Sequence, residues 1–576
     1  MSAHNRDPLY PSDNLDDWFP RELSDPGLMM AGRRLGVVVG GSLSKGLDVK
    51  LDPETAIEDL AVGRYVVVRG QRKRFFCMIT DITLDATNPA IRSDPPDLSD
   101  PFLRAIYTGT AAFGTIHVVP MLTIDENEDS GEPKPVKTIP SHFMPVDIAT
   151  AQDVNDVFGS EDQTHFNVGA PLELEQTQVN LDLRRLTERS VGVFGKSGTG
   201  KSFLTRILLA GIIKNDVAVN LIFDMHNDYG WEIVDERGPR AKGLKQLFAS
   251  RVAIFTLDEE SSRRRNAKYD HVVTIGYQDI QPEDLAMLKT TMDLSDSMID
   301  AAYELQKMWG KKWIEQLINA APEALDMLKE DASINMPSVL ALKRRMQRFE
   351  RFGFLLPEAL DDSAQKIIEY IERRRSVVLE FGRYGSALEA YILVANYLTR
   401  RIHSMYVEAV ERALGDPSLE PPQLVITIEE AHKFLDPTIA RQTIFGTIAR
   451  ELRKYNVTIL LVDQRPSGID EEVMSQVGTR VTALLDNERD IAAVLTGISG
   501  AGGLREVLAR LDTKQQAIIM GHAVPMPVVI KTRAYDSDFY SSLGHGPTPS
   551  LPDNGGPVQP SPRKNPSNDR ESRRIR

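Results

Sequence analysis

Short apolar runs separated by polar turns fill the region from about residue 36 to residue 143. The runs occupy 35–39, 47–51, 65–68, 75–82 and 115–122. Gly, Asp and Pro stand between them, which is typical of turns that connect strands. Several short strands at such spacing predict a small β-barrel, and we place it at residues 31–150.

Longer apolar runs alternate with helical periodicity from about residue 165 onward. The apolar strands occupy 191–194, 217–223, 252–257, 377–381, 424–428, 458–462 and 480–485. Nearly continuous apolar strands between helices are typical of a parallel sheet that is buried on both faces. Between 282 and 375 the pattern is purely helical, with Met and Trp residues at the spacing of a packed helix face. The sequence therefore predicts the α/β class, with a core in two parts at 165–281 and 376–542 and a helical insertion at 282–375.

Neither end of the chain shows hydrophobic periodicity. Residues 1–30 are rich in Asp, Pro and Ser and predict an extended N-terminal arm. Residues 543–576 are rich in Pro, Gly, Ser and Asn. Such a segment buries too little apolar surface to offset the entropy of ordering, so we predict a disordered tail. Its basic end is more simply interpreted as solvated than as a contact for nucleic acid or another subunit.

The chain has 576 residues, one cysteine and a formal net charge of −14 at pH 7. That length exceeds a single core, because one domain takes about 150 residues. Cys77 alone allows no internal disulfide and no cysteine metal cage, which fits a reducing cytoplasm. No apolar run reaches the roughly 18 residues that span a bilayer, so we expect a cytoplasmic protein without a membrane contact. The acidic balance excludes a surface that is basic throughout, but it is compatible with DNA inside the basic channel of an acidic ring.

The sequence GKSGTGKS, from Gly195 to Ser202, lies between an apolar strand and an apolar helix. Glycines let the backbone turn tightly and aim its N–H groups at phosphate oxygens, and the helix adds the positive end of its dipole. In such a loop Lys201 reaches the β- and γ-phosphates, and Ser202 holds Mg²⁺. A turn that matches by chance is the alternative, but the flanking strand and helix favour nucleotide binding. The predicted cofactor-binding residues of this stretch are Gly195, Lys196, Ser197, Gly198, Thr199, Gly200, Lys201, Ser202 and Phe203.

The strand LVITIEE ends in two carboxylates, Glu429 and Glu430. Glu429 stands where the acid that holds the Mg²⁺ shell usually lies in an ATPase. Glu430 is our candidate for the general base that orients water onto the γ-phosphate. Two exposed acids at a strand end are a common alternative. Their combination with a phosphate-binding loop in an α/β pattern favours catalysis.

Further polar groups lie at the end of the next strand and ahead of it. Gln464 follows the strand 458–462, where an amide is placed to sense the γ-phosphate. Arg450 and Arg453 share one helix face, and Arg189 precedes the phosphate-binding loop. Such arginines are usually solvated, but in a ring they reach a neighbour's site and stabilise transition-state charge in trans. We therefore predict Gln464 and these arginines as catalytic residues, with the choice between Arg450 and Arg453 open.

These motifs together resemble the HerA family of the HerA/FtsK ATPases. The resemblance rests on GKSGTGKS, DMHNDYGWE, IEEAHKFL, ARELRKYNVTILLVDQRPSGIDEEVMSQVGTRV and GHAVPMPVVIKTR. It implies a RecA-like P-loop ATPase core with an N-terminal HAS-type β-barrel and an inserted helical bundle. It also implies a homohexamer that moves double-stranded DNA through its channel with ATP and Mg²⁺, beside a nuclease or another effector. Asp224, which closes the strand before MHNDYGWE, matches an acid of the family and is expected to support the metal shell or the γ-phosphate side.

Two positions depart from the family pattern. Many relatives carry Asp where this chain has Glu429, and Asp463 stands where a small hydroxyl residue is common.

The run Arg263–Arg265 with Lys268 predicts a phosphate-binding loop that six copies would turn into a positive belt. An exposed basic loop is an equal alternative.

Three functions compete for this chain. The first is a DNA-stimulated ATPase motor in DNA end processing or antiviral defence. The second is a nucleotide-gated ring scaffold that assembles a partner effector without processive translocation. The third, a pump of a secretion or conjugation channel, is disfavoured because the sequence has no membrane segment. The combination of loop, acids, amide and arginines favours the first.

Overall fold

A computed structural model describes residues 32–544, apart from 98, 108–109, 128–131, 173, 233–240, 322, 324, 326–334, 360, 442, 452–453 and 499–500. The predicted N-terminal arm lies outside the described residues. So does the predicted tail, apart from its first two residues.

The N-terminal unit is a closed β-barrel. Its strands are β1 (Arg34–Ser42), β2 (Gly46–Leu51), β3 (Tyr65–Arg69), β4 (Lys73–Ala86), β5 (Ala112–Asp125), β6 (Lys134–Pro135) and β7 (Pro145–Ile148). The order is β2-β1-β7-β3-β4-β5, and β2 also pairs with β5, which closes the ring; β6 adds to β5 alone. Each apolar run predicted in this region is confirmed within β1 to β5. β7 escapes sequence reasoning, because its 4 residues begin with a proline and show no alternation.

Alternate residues of the barrel strands fill the barrel interior. Val49, Val66, Cys77, Ile116 and Val146 are fully buried, as the two-residue period of a strand requires. Burial raises the pKa of the Cys77 thiol. The thiol is therefore a packing group and not a nucleophile.

The second unit is a mixed sheet of 12 strands. The strands after the barrel are β8 (His165–Pro171), β9 (Val179–Asp182), β10 (Val191–Phe194), β11 (Val219–Asp224), β12 (Val252–Thr256), β13 (His271–Val272), β14 (Ile275–Gly276), β15 (Leu355–Leu356), β16 (Ser376–Glu380), β17 (Leu424–Glu429), β18 (Val457–Asp463), β19 (Thr479–Thr482), β20 (Gln516–Gly521) and β21 (Val528–Thr532). The sheet order is β13-β12-β16-β11-β17-β18-β10-β19-β20-β21-β8-β9, and β14 pairs only with β15. Pairs from β13 to β19 are parallel, and pairs from β19 to β9 are antiparallel.

The parallel strands β10, β11, β12, β16, β17 and β18 are buried along their whole length. Each apolar strand predicted from residue 165 onward corresponds to one of these or to β19, which confirms the α/β class. The α-helices in the described ranges are Ala90–Ser93, Pro101–Tyr107, Ala151–Phe158, Leu183–Glu188, Lys201–Asn215, Leu244–Phe248, Glu259–Arg264, Pro282–Ala286, Lys289–Met292, Asp296–Trp309, Trp313–Asn319, Met336–Met346, Ser363–Glu372, Leu388–Ala413, His432–Leu435, Ile444–Glu451, Glu471–Gln476, Glu488–Leu495, Ala501–Ala509 and Ser537–Ser542. Of the helices in these ranges, none is both long and apolar enough to cross a membrane.

The helical insertion shares the buried apolar cluster of the sheet layer and is also tied to that layer by an ion pair. Trp313 is fully buried within it. Asp284, also fully buried, accepts hydrogen bonds from Arg400 (2.7 Å) and Asn396 (3.0 Å) of the long helix after β16. The prediction of a purely helical insertion is wrong at β15, which pairs in parallel with β14. A two-residue strand is too short to produce a period in the sequence.

The barrel is joined to the core sheet through Tyr65 of β3. Its phenol donates to the carbonyl of Pro527 (2.7 Å) and accepts from the N–H of Val529 (3.2 Å). Apolar side chains of β3 and β4 belong to the same buried cluster as those of β20 and β21. One face of β3 and β4 therefore packs into the core of the sheet, while the barrel interior is a separate buried cluster.

Candidate active site

The loop after β10 contains several glycines with positive φ. Gly198 and Gly200 have φ values of +80° and +91°, a region that L side chains rarely adopt. The helix Lys201–Asn215 begins directly after Gly200. Loop N–H groups and a helix N-terminus therefore converge on one point, an arrangement that favours phosphate.

A cavity of about 1200 Å³ opens over this loop at the carboxyl edge of the parallel sheet. The ends of β10, β11, β17 and β18 meet there, and α/β sheets bind ligands at this edge. The cavity is lined by Ser197, Gly198, Gly200, Lys201, Ser202, Phe203, His226, Asn227, Asp228, Trp231, Glu232, Arg265, Asn266, Glu429, Glu430, Val462, Asp463, Gln464 and Lys514.

Lys201 folds back onto its own loop. Its Nζ donates to the carbonyl of Lys196 at 2.9 Å. Burial lowers the pKa of Lys201, while the charges of Glu430, Asp463 and Glu429 act in the opposite direction. The ammonium group thus already has an oxygen partner that a phosphate oxygen is able to replace.

Other residues of the loop brace it and do not line the cavity. Thr199 Oγ1 donates to the carbonyl of Lys196 at 2.8 Å, and Lys196 Nζ pairs with Asp486 at 3.1 Å. A Cβ on Gly195 would lie 2.9 Å from Cβ of Ala483, which leaves room only for glycine. The predicted cofactor-binding residues that do line the cavity are Ser197, Gly198, Gly200, Lys201, Ser202 and Phe203.

Glu429, the last residue of β17, is buried where it lines the cavity. Its Oε1 accepts a hydrogen bond from the phenol of Tyr229 at 2.9 Å. Its Oε2 has no hydrogen-bond partner among the described residues. Burial, together with the nearby charge of Asp224, raises the pKa of Glu429 to about 8. A buried carboxylate whose second oxygen accepts no hydrogen bond from the described residues is a suitable ligand for a divalent cation.

Glu430 follows in a left-handed conformation, with φ of +50°. Its Oε1 accepts a hydrogen bond from Gln464 Nε2 at 3.1 Å, and His432 Nδ1 lies 3.7 Å from its Oε2. Backbone strain of about 1–3 kcal/mol is typical of positions where function depends on geometry. The predicted base and the predicted sensor are therefore in direct contact.

Asp463, the unusual acid beside the sensor, fastens two turns together. It is buried and accepts hydrogen bonds from the N–H groups of His432 (2.7 Å) and Arg465 (2.7 Å). It also contacts Nδ1 of His432 at 2.9 Å. A carboxylate accepts more hydrogen bonds than a hydroxyl group. Asp463 therefore holds these two turns with more hydrogen bonds than the small hydroxyl residue that is common in the family.

Asp224, the last residue of β11, does not line the cavity. Its fully buried carboxylate accepts from the N–H groups of Asp228 (2.7 Å), Tyr229 (2.8 Å) and Gly230 (3.2 Å). Burial and the charge of Glu380 raise the pKa of Asp224 to about 7. The oxygens of Asp224 are engaged in shaping the turn that follows, and a role of Asp224 at the metal shell or the γ-phosphate stays a prediction.

The predicted arginine fingers lie at the opposite edge of the sheet from the cavity of their own chain. Arg189 is exposed just before β10, and Arg450 lies in the helix that precedes β18. Neither lines the cavity. Nη1 of Arg450 is buried without a hydrogen-bond partner in the described ranges. Arg453 lies outside the described residues, and the role of all three in a neighbouring copy stays a prediction.

The basic run after β12 is not a free loop. Arg263 and Arg264 pair with carboxylates one helical turn earlier, and Arg265 pairs with the buried Glu380. These three arginines therefore have partners within their own chain, and the phosphate-binding belt that six copies would form stays a prediction. Arg265 also lines the cavity.

Several cavity residues escape sequence reasoning. Arg265 and Asn266 follow β12, Trp231 and Glu232 follow the turn after β11, and Lys514 precedes β20. Their approach depends on strand order, which no local motif encodes. The one available signal was the stretch DYGWE after the strand that ends at 224, since it was already part of a recognised motif.

The residues at the cavity fit ATP and Mg²⁺. The N–H groups of the loop and the Lys201 amine suit phosphates, and the Ser202 hydroxyl and Glu429 carboxylate are the hard oxygen donors that Mg²⁺ prefers. Within the described ranges, no group of three or more His, Cys, Asp and Glu side chains is arranged to hold a metal ion. A metal ion at this site therefore depends on nucleotide and water oxygens as well.

Two solved structures are among those to which the chain is similar. VirB4 of Thermoanaerobacter pseudethanolicus is 14% identical, and the match covers 65% of this chain and 98% of that chain with a TM-score of 0.43. The bacterial conjugative coupling protein TrwB is 10% identical, with 67% and 92% covered and a TM-score of 0.43.

Relatives in sequence are more informative. The DNA double-strand break repair helicase HerA of Sulfolobus acidocaldarius is 26% identical over 402 residues, which cover 69% of this chain and 74% of the relative. The HerA helicase of Pyrococcus furiosus is 24% identical over 402 residues, with 63% and 68% covered. The family model of the helicase HerA central domain matches residues 166–402, and that of the HAS barrel domain matches residues 35–131. These matches confirm the resemblance carried by the motifs, and the chain belongs to the HerA family of P-loop ATPases.

Proposed function

We propose that this protein is an ATP-driven translocase of double-stranded DNA that works as a homohexamer. One observation carries the proposal. Lys201, Glu429, Glu430 and Gln464 approach a single cavity from the ends of three neighbouring strands. Relatives that are named DNA double-strand break repair helicases support DNA as the substrate.

In the proposed reaction, ATP binds along the loop after β10. Lys201 exchanges the Lys196 carbonyl for β- and γ-phosphate oxygens, and the loop N–H groups bind the same phosphates. Ser202 and Glu429 hold Mg²⁺, which neutralises phosphate charge when it is bound. Glu430 takes a proton from the water that attacks the γ-phosphorus, and the bond from that phosphorus to the ADP oxygen breaks.

Gln464 orients the proposed base. Its amide N–H occupies one oxygen of Glu430 and so fixes the plane of the carboxylate, which leaves the other oxygen for the attacking water. Gln464 also stands at the end of β18, directly beside the loop-bearing strand β10. A contact between this amide and the γ-phosphate would therefore couple the presence of ATP to the placement of the base.

A second copy of the chain completes the proposed site. Arg189 and Arg450 stand at the amino edge of the sheet, whereas the cavity opens at the carboxyl edge. A head-to-tail contact places the amino edge of the sheet in one copy against the carboxyl edge of the sheet in the next copy. Repeated contacts of this kind close into a ring when the rotation between copies allows it. We infer that Arg189, with Arg450 or Arg453, stabilises the transition-state charge of the neighbour.

The biological setting that we propose is DNA end processing or antiviral defence, beside a nuclease or another effector. The motifs shared with the family support this setting. The net charge of −14 favours a ring whose basic groups are confined to its channel.

Two measurements test the function. Wild-type protein with Mg²⁺ should hydrolyse ATP much faster than Lys201→Ala, and duplex DNA should stimulate it. Equal rates for the two proteins would sink the ATPase assignment. On duplex DNA that carries a bound roadblock protein, a motor displaces the roadblock with ATP, whereas hydrolysis without displacement would favour the nucleotide-gated scaffold.

A further inference from the structure

We propose that Tyr229 is a positioning residue that aims the carboxylate of Glu429 at the metal ion, an inference that rests on the ATPase function proposed above. The phenol donates to Glu429 Oε1 at 2.9 Å. Tyr229 is fully buried, and Glu429 is 6% exposed. The second oxygen of Glu429 has no partner in the described part of the chain.

A single donor on one oxygen is what a carboxylate needs in order to present the other. The terminal torsion of a glutamate is broad, so the plane of an unrestrained carboxylate is poorly defined. The Tyr229 hydrogen bond removes this freedom at Oε1 and leaves Oε2 to accept a ligand.

The turn after β11 explains why Tyr229 stands where it does. Asp224 binds three successive N–H groups of this turn, including that of Tyr229 itself. Gly230 packs so closely on Glu380 that a Cβ would lie 2.6 Å from Oε1 of that acid. Within the DMHNDYGWE motif, Asp224 thus fixes the turn that carries Tyr229, and Tyr229 in turn contacts the Glu429 carboxylate.

A second tyrosine holds the same residue in a different way. Tyr391 accepts from the N–H of Glu429 at 3.0 Å and donates to its carbonyl at 3.1 Å. Tyr391 therefore fixes the main chain at the end of β17, while Tyr229 fixes the side chain. The two contributions are separable by experiment.

The experiment compares Tyr229→Phe with wild-type full-length protein. Binding of a fluorescent, non-hydrolysable ATP analogue is titrated with Mg²⁺. Loss of a group that orients a metal ligand typically costs 10–100-fold in metal affinity, so the half-saturating Mg²⁺ concentration should rise about tenfold or more. Analogue binding in EDTA should not change, because the phosphate-binding loop is untouched.

Two further proteins serve as controls. Tyr406→Phe removes the hydroxyl of another buried tyrosine, which donates to the carbonyl of Pro422 (3.0 Å) and does not line the cavity; the Mg²⁺ requirement should stay unchanged. In a Glu429→Gln background, Tyr229→Phe should add no further shift, because the phenol acts through that carboxylate.

Each opposite outcome overturns the inference. A Mg²⁺ requirement of Tyr229→Phe within about twofold of wild type would do so, since a lost orienting contact exceeds that range. So would an equal shift in Tyr406→Phe, an additional shift in the Glu429→Gln background, or unfolding of Tyr229→Phe under conditions where Tyr406→Phe is folded. Absence of Mg²⁺-dependent analogue binding by the wild type would instead contradict the ATPase function itself.

Discussion

Replacing Glu429 by glutamine should stabilise the nucleotide-free protein while abolishing its ATPase activity. Burial raises the pKa of Glu429 from 4.5 to about 8. Above that pH the folded protein holds a buried charge that the unfolded chain exposes to water. Glutamine keeps the shape of the side chain and an oxygen that accepts from Tyr229, but it carries no charge. The variant therefore loses the metal ligand and the electrostatic cost together.

The size of this stability difference follows from how far the pKa of Glu429 rises when the protein folds. One pKa unit corresponds to ~1.4 kcal/mol. The rise from 4.5 to about 8 thus corresponds to about 5 kcal/mol. Because the folded-state pKa is the higher one, the associated stability is fully present below about pH 4.5 and is lost as the pH rises through about 8. Glu429→Gln should match the wild type near pH 5 and exceed it by about 3–5 kcal/mol at pH 8.5.

Urea unfolding in EDTA at several pH values between these limits measures the difference. Glu430→Gln is the matched control, because its side chain is 28% exposed and its charge costs less to keep in the folded state. Addition of Mg²⁺ with an ATP analogue should reverse the order, since the ligand stabilises the protein that binds it more tightly. Equal or lower stability of Glu429→Gln at pH 8.5 without Mg²⁺ would refute the reasoning.

Three further experiments test other parts of the molecule. Glu430→Gln should retain nucleotide binding and lower kcat by about 100-fold or more, measured as phosphate release, because a positioned base contributes about that factor. Mixing Arg189→Ala with Lys201→Ala protein should restore part of the ATPase activity that each lacks alone, because some interfaces then join two intact halves. Trp313→Ala should lower the free energy of unfolding by about 3–5 kcal/mol in urea titrations, since the ring is fully buried.

Different results would revise specific assignments. Normal turnover by Glu430→Gln would move the base to another residue. Mixed proteins without any recovery would contradict an arginine that acts in trans. Unchanged unfolding of Trp313→Ala would show that the buried ring of Trp313 does not contribute to stability.

The parts of the site that depend on neighbours along the chain could be predicted from the sequence. GKSGTGKS specifies its own loop, because the conformations of Gly198 and Gly200 and the start of the helix are local properties. The contact between Gln464 and Glu430 is of another kind. It requires β17 and β18 to be adjacent, and no pattern within either strand encodes this adjacency.

The surroundings of two predicted residue groups were only partly visible in the sequence. The sequence places Asp224 at a strand end, but only the folded turn shows that the N–H groups of the next turn bind its oxygens. Arg263 and Arg264 follow glutamates by four positions, a spacing that favours pairing within a helix. That spacing was a readable argument against a free basic loop. The Tyr229 contact with Glu429, in contrast, joins residues 200 positions apart and had no signal in the sequence.

The phenol of Tyr65 ties β3 of the barrel to the start of β21, so the barrel is expected to move together with the ATPase sheet. Tyr65 donates to one backbone group and accepts from another close by, so it resists both separation and sliding of the two surfaces. A tilt of the sheet during ATP turnover is therefore expected to carry the barrel with it as a lever arm. A partner bound to the barrel would then be displaced in step with each turnover.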